Sequence, residues 1–216
     1  MHNIAVILAA GIGSRAGKGE PKQFRILQNG KTVLETCVNA FSGLVDGICV
    51  VTHRDYAERT KNVLKNYDII LVNGGKERWE SSWNAIQALS SKENVNILIH
   101  DCARPFVSER IIRDVCKMLE QHEAVTVAVP STDTLYHIKD DCVAEIPQRK
   151  EYMRAQTPQA FRLSLIRKAY ELALLNPNNI SVTDDCGIMK QYLPEQKIYV
   201  VTGEEANKKL TFPEDF

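Results

Sequence analysis

Residues 8–24 read LAAGIGSRAGKGEPKQF. Gly11, Gly13 and Gly17 follow an apolar run, Arg15 lies among them, and Lys22 stands behind Pro21. Glycines in such a loop let the backbone approach a ligand closely, so that successive main-chain N–H groups can surround phosphate oxygens. Arg15 and Lys22 would bracket a polyphosphate on both sides, with Pro21 stiffening the return path. Fixed cations in that position suit a transfer reaction in which negative charge builds up at phosphorus. On these residues alone, a solvated surface loop with ordinary charges is the alternative.

Two other phosphate-binding patterns fail. The dinucleotide fingerprint is G-x-G-x-x-G followed by an acidic residue at the end of the second strand. Here the loop is G-I-G-S-R-A-G, one residue too long, and VVTH (50–53) ends the second apolar run. A P-loop over Gly30-Lys31-Thr32 would need its first glycine at position 25, which is Arg25.

The elements that must carry this loop alternate along the chain. Asn3–Ala9, Gly47–Thr52, Asp68–Val72, Asn96–His100 and Ala124–Val129 are short runs rich in Val and Ile, as buried parallel strands are. Thr32 and Glu35 make a T-x-x-E capping box before a helix with Val33, Leu34, Cys37, Val38 and Phe41 inward. A second helix follows Ser108, burying Ile111, Ile112, Val115, Cys116 and Leu119, and a third covers Ser164–Leu174. Strand–helix alternation predicts an α/β fold, a mostly parallel Rossmann-like sheet with helices on both faces. In such sheets ligands bind at the carboxyl ends of strands, where the glycine loop begins. Residues 131–159 break the rhythm. Leu135–Ile138 and Cys142–Ile146 read as two strands around a turn at Lys139-Asp140-Asp141, an arm projecting from a single domain that spans 1–216.

Composition excludes some classes. Lys+Arg and Asp+Glu both number 27, so no global field points to nucleic acid or an anionic membrane. No apolar stretch has the length of a membrane span. MHNIAVILAA lacks a basic leader and runs into glycines, which reads as a first strand rather than a signal segment. The cysteines at 37, 49, 102, 116, 142 and 186 form no C-x-x-C pair, and reduced thiols in a cytoplasmic protein are expected.

The loop, with its downstream P-K-Q, resembles the signature of nucleotidyltransferases that activate sugars and polyols. GGKERWESS (74–82), HDCARPF (100–106), IPQRKEYMRAQTPQAF (146–161), VTDDC (182–186) and the closing NKKLTFPEDF extend the resemblance over the whole chain. Together they are similar to the cytidylyltransferases acting on 2-C-methyl-D-erythritol 4-phosphate or on ribitol 5-phosphate. The resemblance implies the nucleotide-diphospho-sugar transferase type of fold and transfer of CMP from CTP to a polyol phosphate, with Mg2+ or another divalent cation. It implies Arg15, Lys22 and Lys209 as catalytic residues, and Ala9, Ala10, Gly11, Gly13, Ser14, Gly75, Arg78, Ser81 and Asp101 around CTP. Asp101, Arg104, Thr134, Arg149, Thr157, Thr183 and Lys209 would hold the polyol phosphate. Thr134 and Arg149 would reach the partner subunit's site by arm exchange in a homodimer. Ser81 would recognise cytosine, although a serine there could also cap a helix start.

Five departures from the family pattern stand out, one of them Asn207-Lys208-Lys209 in place of a typical Asn-Ile-Lys, which leaves Lys209 in register. Cys102 replaces a usual alanine, and Lys76 stands where an acidic residue is common. Trp79 and Trp83 occupy a usually small-residue neighbourhood, and relatives usually add a helix after the PEDF stretch. GGKER, IPQRKEY, QTPQAF and LPE favour the ribitol 5-phosphate branch over the methylerythritol branch.

Overall fold

The computed structural model describes residues 1–11 and 20–216. A seven-stranded sheet runs in the order β3-β2-β1-β4-β8-β5-β9. Its strands are β1 (His2–Ala9), β2 (Gly47–Thr52), β3 (Ile70–Asn73), β4 (Val95–Asp101), β5 (Ala124–Pro130), β8 (Met153–Arg162) and β9 (Tyr199–Thr202). β8 is antiparallel to β4 and β5, and the other pairings are parallel.

Period-two alternation sends β1 side chains to both faces. Ala5, Ile7 and Ala9 pack under α1 (Val33–Phe41) and α4 (Glu109–Met118), near the end of α2 (Ala57–Val63). Ile4 and Val6 pack under α3 (Arg78–Leu89), α5 (Leu163–Leu174) and α6 (Asp185–Tyr192). Thr32 and Ser108 cap these helices: Glu35 N donates to Thr32 Oγ1 at 3.0 Å, and Ile111 N to Ser108 Oγ at 3.3 Å. Trp83 stacks on buried Tyr170 with ring centroids 5.8 Å apart, so its bulk fills the layer between α3 and α5.

The excursion is shorter than the expected 131–159. Met153–Arg162 is β8, in the interior of the sheet, and only the chain between Pro130 and Met153 leaves it. That arm carries β6 (His137–Lys139) and β7 (Cys142–Glu145), paired only with each other. Asp140 and Asp141, at φ 51° and 58°, make the tight two-residue turn between them. The arm exposes Tyr136, Ile138, Val143 and Ile146.

A candidate active site at the carboxyl ends of the strands

Two clefts meet where β1 and β4 end. The first, about 580 Å³, is lined by Ala9, Ala10, Gly11, Lys22, Arg78, Ser81 and Asp101, among others. The second, about 480 Å³, is lined by Arg104, Thr157, Gln159, Thr183 and Asp184, with Arg78, Asp101 and Lys209 shared between the two. Gly13, Ser14 and Arg15 lie outside the described residues. Lys22 opens a short 3-10 turn, Lys22–Phe24, directly after Pro21.

The floor of the first cleft depends on absent side chains. A Cβ on Gly74 would come within 2.3 Å of the Ala10 Cβ and 3.0 Å of Ser81 Oγ. One on Gly75 would meet the Glu80 Cβ at 2.2 Å. Gly75 N donates to Ser81 Oγ at 3.2 Å, which joins the loop to the helix behind it. Ser81 is not a helix-start cap. Glu77 holds that position and closes a capping box with Glu80, so Ser81 belongs to the first turns of α3 and faces the cleft. The Lys76 amide donates to the Glu80 carboxylate, so Lys76 has no spare backbone donor for a base.

Asp101 sits at the seam between the clefts, its side chain only 13% exposed. Arg78 Nε donates to its Oδ1 at 3.1 Å and Lys209 Nζ to its Oδ2 at 2.8 Å. Burial by itself raises the Asp101 carboxyl; Arg78 and Lys209, with Arg104 behind them, outweigh this and hold it well below the usual carboxylate range. Arg78 is held from behind as well. Its NH1 donates at 2.7 Å to Asp185 Oδ2, and the other oxygen of that fully buried carboxylate accepts from Tyr170 at 2.7 Å. Arg78 NH2 is buried without a hydrogen-bond partner among the described residues.

Arg104 is set by the main chain: NH1 donates to Asn207 O at 2.8 Å and NH2 to Ala155 O at 3.3 Å. Leu210 N donates to Ala103 O at 2.8 Å, which brings the closing segment, and Lys209 with it, against the loop after β4. Thr157 lines the second cleft, but its hydroxyl is already engaged by Asp101 N and the His100 ring. Thr134 and Arg149 are exposed and line neither cleft of their own chain; Arg149 NH1 donates to Thr132 O at 2.7 Å.

Sequence reasoning left three contributors unassigned. Asp185 is part of VTDDC, which drew attention to Thr183. Gly74 is adjacent to Gly75, and only packing tells the two apart. Gln159 fixes the start of α6, its Oε1 accepting from Asp185 N at 3.0 Å and its Nε2 donating to Asp184 Oδ2 at 2.7 Å. Among the described residues no group of three His, Cys, Asp or Glu could hold a metal ion, and no helix is long and apolar enough to cross a membrane.

Residues 3–216 match the family model described as 2-C-methyl-D-erythritol 4-phosphate cytidylyltransferase (IspD). Over 223 residues the chain is 42% identical to the 2-C-methyl-D-erythritol 4-phosphate cytidylyltransferase of Thermobifida fusca, covering 98% of this chain and 89% of that protein. It is 40% identical to the bifunctional ribulose 5-phosphate reductase/CDP-ribitol pyrophosphorylase Bcs1 of Haemophilus influenzae, covering 99% of this chain but 46% of that longer protein. The crystal structure of 4-diphosphocytidyl-2C-methyl-D-erythritol synthase from Anaerococcus prevotii superposes with TM-score 0.87 at 34% identity, covering 99% of this chain and 94% of that one.

Proposed function

The chain belongs to the 2-C-methyl-D-erythritol 4-phosphate cytidylyltransferase (IspD) family of nucleotidyltransferases, and from that premise we propose that it transfers CMP from CTP to D-ribitol 5-phosphate, giving CDP-ribitol and pyrophosphate. The observation that carries the choice of acceptor is the lining of the second cleft. Among the described residues Ala155 is its one apolar residue, against Arg78, Asp101, Arg104, Gln156, Thr157, Gln159, Thr183, Asp184 and Lys209. Such a wall suits an unbranched polyol phosphate with oxygen on every carbon, whereas a methyl branch would gain no apolar contact there. The second reading, 2-C-methyl-D-erythritol 4-phosphate as acceptor, is favoured by the name of the Thermobifida fusca relative.

In this reading the first cleft takes the nucleotide. Ala9, Ala10 and Gly11 supply main chain to ribose and phosphates, Gly75 and Ser81 face cytosine, and Gly13, Ser14 and Arg15 follow them in sequence. The second cleft takes the acceptor, its phosphoryl group drawn to Arg104, Lys209 and Thr183. The reaction is attack of an acceptor phosphate oxygen on the α-phosphorus of CTP: a new P–O bond forms as the bond to the β-phosphate oxygen breaks. A phosphate monoester has its second pKa near ~6 and is largely dianionic at neutral pH, so the nucleophile needs no general base. The task left to the protein is to bring two polyanions together. Arg15, Lys22 and Lys209 screen them, and Arg78 keeps Asp101 ionised at the seam. A divalent ion fits the donor set: Asp101 retains acceptor capacity beyond Arg78 and Lys209, and magnesium typically takes one or two carboxylates plus phosphates and water. Bound there, it would neutralise triphosphate charge.

The exposed apolar residues of the arm support pairing with a second copy, which would bring Thr134 and Arg149 to the partner's second cleft. The test is pyrophosphate release from CTP and magnesium with each polyol phosphate in turn. Faster turnover of ribitol 5-phosphate supports the reading; turnover of the methylerythritol phosphate alone replaces it.

A further inference from the structure

His100 is fully buried at the end of β4, its ring edge-on to Phe41 with centroids 5.0 Å apart, and the phosphoryl chemistry above makes no use of it. Its Nε2 lies 3.0 Å from the Arg104 carbonyl oxygen and its Nδ1 3.0 Å from Thr157 Oγ1. Thr157 Oγ1 also accepts from Asp101 N at 3.1 Å.

Proton accounting fixes the roles. A carbonyl oxygen only accepts, so the Nε2 hydrogen must be present and points at Arg104. If Nδ1 also carried hydrogen, Thr157 Oγ1 would have to accept from both the imidazolium and the Asp101 amide. The threonine proton would then have no acceptor in these contacts, inside a pocket where Thr157 is 5% exposed. With a neutral ring every group is satisfied: Asp101 N–H donates to Thr157 oxygen, Thr157 O–H donates to Nδ1, and Nε2–H donates to the Arg104 carbonyl.

We propose that His100 and Thr157 are a positioning pair that locks Asp101, the last residue of β4, and Arg104, in the loop after it, to β8. Thr157 therefore offers lone pairs only. It can accept from a polyol hydroxyl but cannot donate to a phosphate oxygen, which leaves the acceptor's phosphoryl group, within this chain, to Arg104, Lys209 and Thr183. The resemblance places Thr157 among the residues that hold the polyol phosphate; the hydrogen-bond pattern assigns it to alignment. This inference rests on the transferase reading for its kinetic consequence but not for its spectroscopic one.

The test combines ¹⁵N NMR of the imidazole with kinetics of Thr157→Val and Thr157→Ser, using CTP, magnesium and whichever polyol phosphate the wild type turns over. In the wild type at pH 7.5, Nε2 is protonated and Nδ1 is pyridine-like, and Thr157→Val moves only the pyridine-like Nδ1 signal. Thr157→Val lowers kcat about tenfold to a hundredfold through misalignment while KM for the polyol phosphate changes little, and Thr157→Ser restores kcat. A KM for the polyol phosphate raised about tenfold with kcat unchanged would make Thr157 a phosphate donor and overturn the pair. So would a His100 ring that carries hydrogen on both nitrogens at pH 7.5. If the wild type releases no pyrophosphate, the transferase reading fails, and the imidazole spectra still decide the pairing.

Discussion

The ion pair behind Arg78 gives the most quantitative prediction. Asp185 is completely buried and holds Arg78 NH1 and the Tyr170 hydroxyl, each at 2.7 Å. Replacing it with alanine leaves a guanidinium short of its counter-charge and a buried hydroxyl short of its acceptor. Breaking a buried pair from one side costs about 3–5 kcal/mol. Arg78 keeps Asp101, and 27% of its side chain reaches water, which places Asp185→Ala at the low end. The expected loss is about 3 kcal/mol, equivalent to roughly 6–12 °C in Tm for a domain of this size. Asparagine fits the same volume. Its carbonyl can accept from Arg78 and its amide can donate to the Tyr170 oxygen, so only the charge is lost, at about 1–2 kcal/mol. Urea unfolding of wild type, Asp185→Asn and Asp185→Ala would measure the series. An alanine variant within about 0.5 kcal/mol of wild type would refute the argument, because it would mean that Arg78 and Tyr170 lose nothing when their shared acceptor is removed.

Three further outcomes follow from the site. Lys22→Ala lowers kcat about a hundredfold or more with little change in Tm, read by pyrophosphate release; normal turnover would remove Lys22 from the chemistry. Gly74→Ala pushes its new Cβ into Ala10 and Ser81, so KM for CTP rises about tenfold or more while KM for the polyol phosphate holds; an unchanged KM for CTP would contradict the placement of the base. Stability to urea falls as pH drops from about 6.5 towards 4. His100 has a lowered folded pKa of about 4, so its contribution is complete above the unfolded value and shrinks as the ring must be charged. His100→Asn should remove that slope. Asp101, whose folded carboxyl is depressed further, contributes fully above about pH 4 and loses its contribution only below it, so Asp101→Asn leaves the slope between 6.5 and 4 in place.

The strands and helices with clean periodicity could be read from the chain. β1, β2, β4 and β5 are apolar runs, and Thr32 and Ser108 cap the helices they precede. β8 could not, for a physical reason. Its MRAQTPQAFR is polar and carries Pro158, which argues against an interior strand. The structure accommodates the proline at an irregularity: β5 pairs Val125 with Ala160 and Val127 with Gln156, so one residue of β5 spans three of β8. The polar residues there are buried yet partnered, Gln156 with Asn207 and Glu204, Thr157 with His100, and Gln159 with the start of α6. A strand built to hold a site therefore looks like a loop. Gly74 and Asp185 were hidden differently, since nothing in their local sequence says which neighbour they will meet across the fold.

The most direct measurement is a crystal structure of the chain with CTP bound. The account predicts triphosphate oxygens against the main chain at the exit of β1 and within reach of Lys22, with the base beside Gly75 and Ser81 and the second cleft still open next to Asp101. A nucleotide lodged elsewhere, with the Ala9–Gly11 turn facing only water, would contradict it.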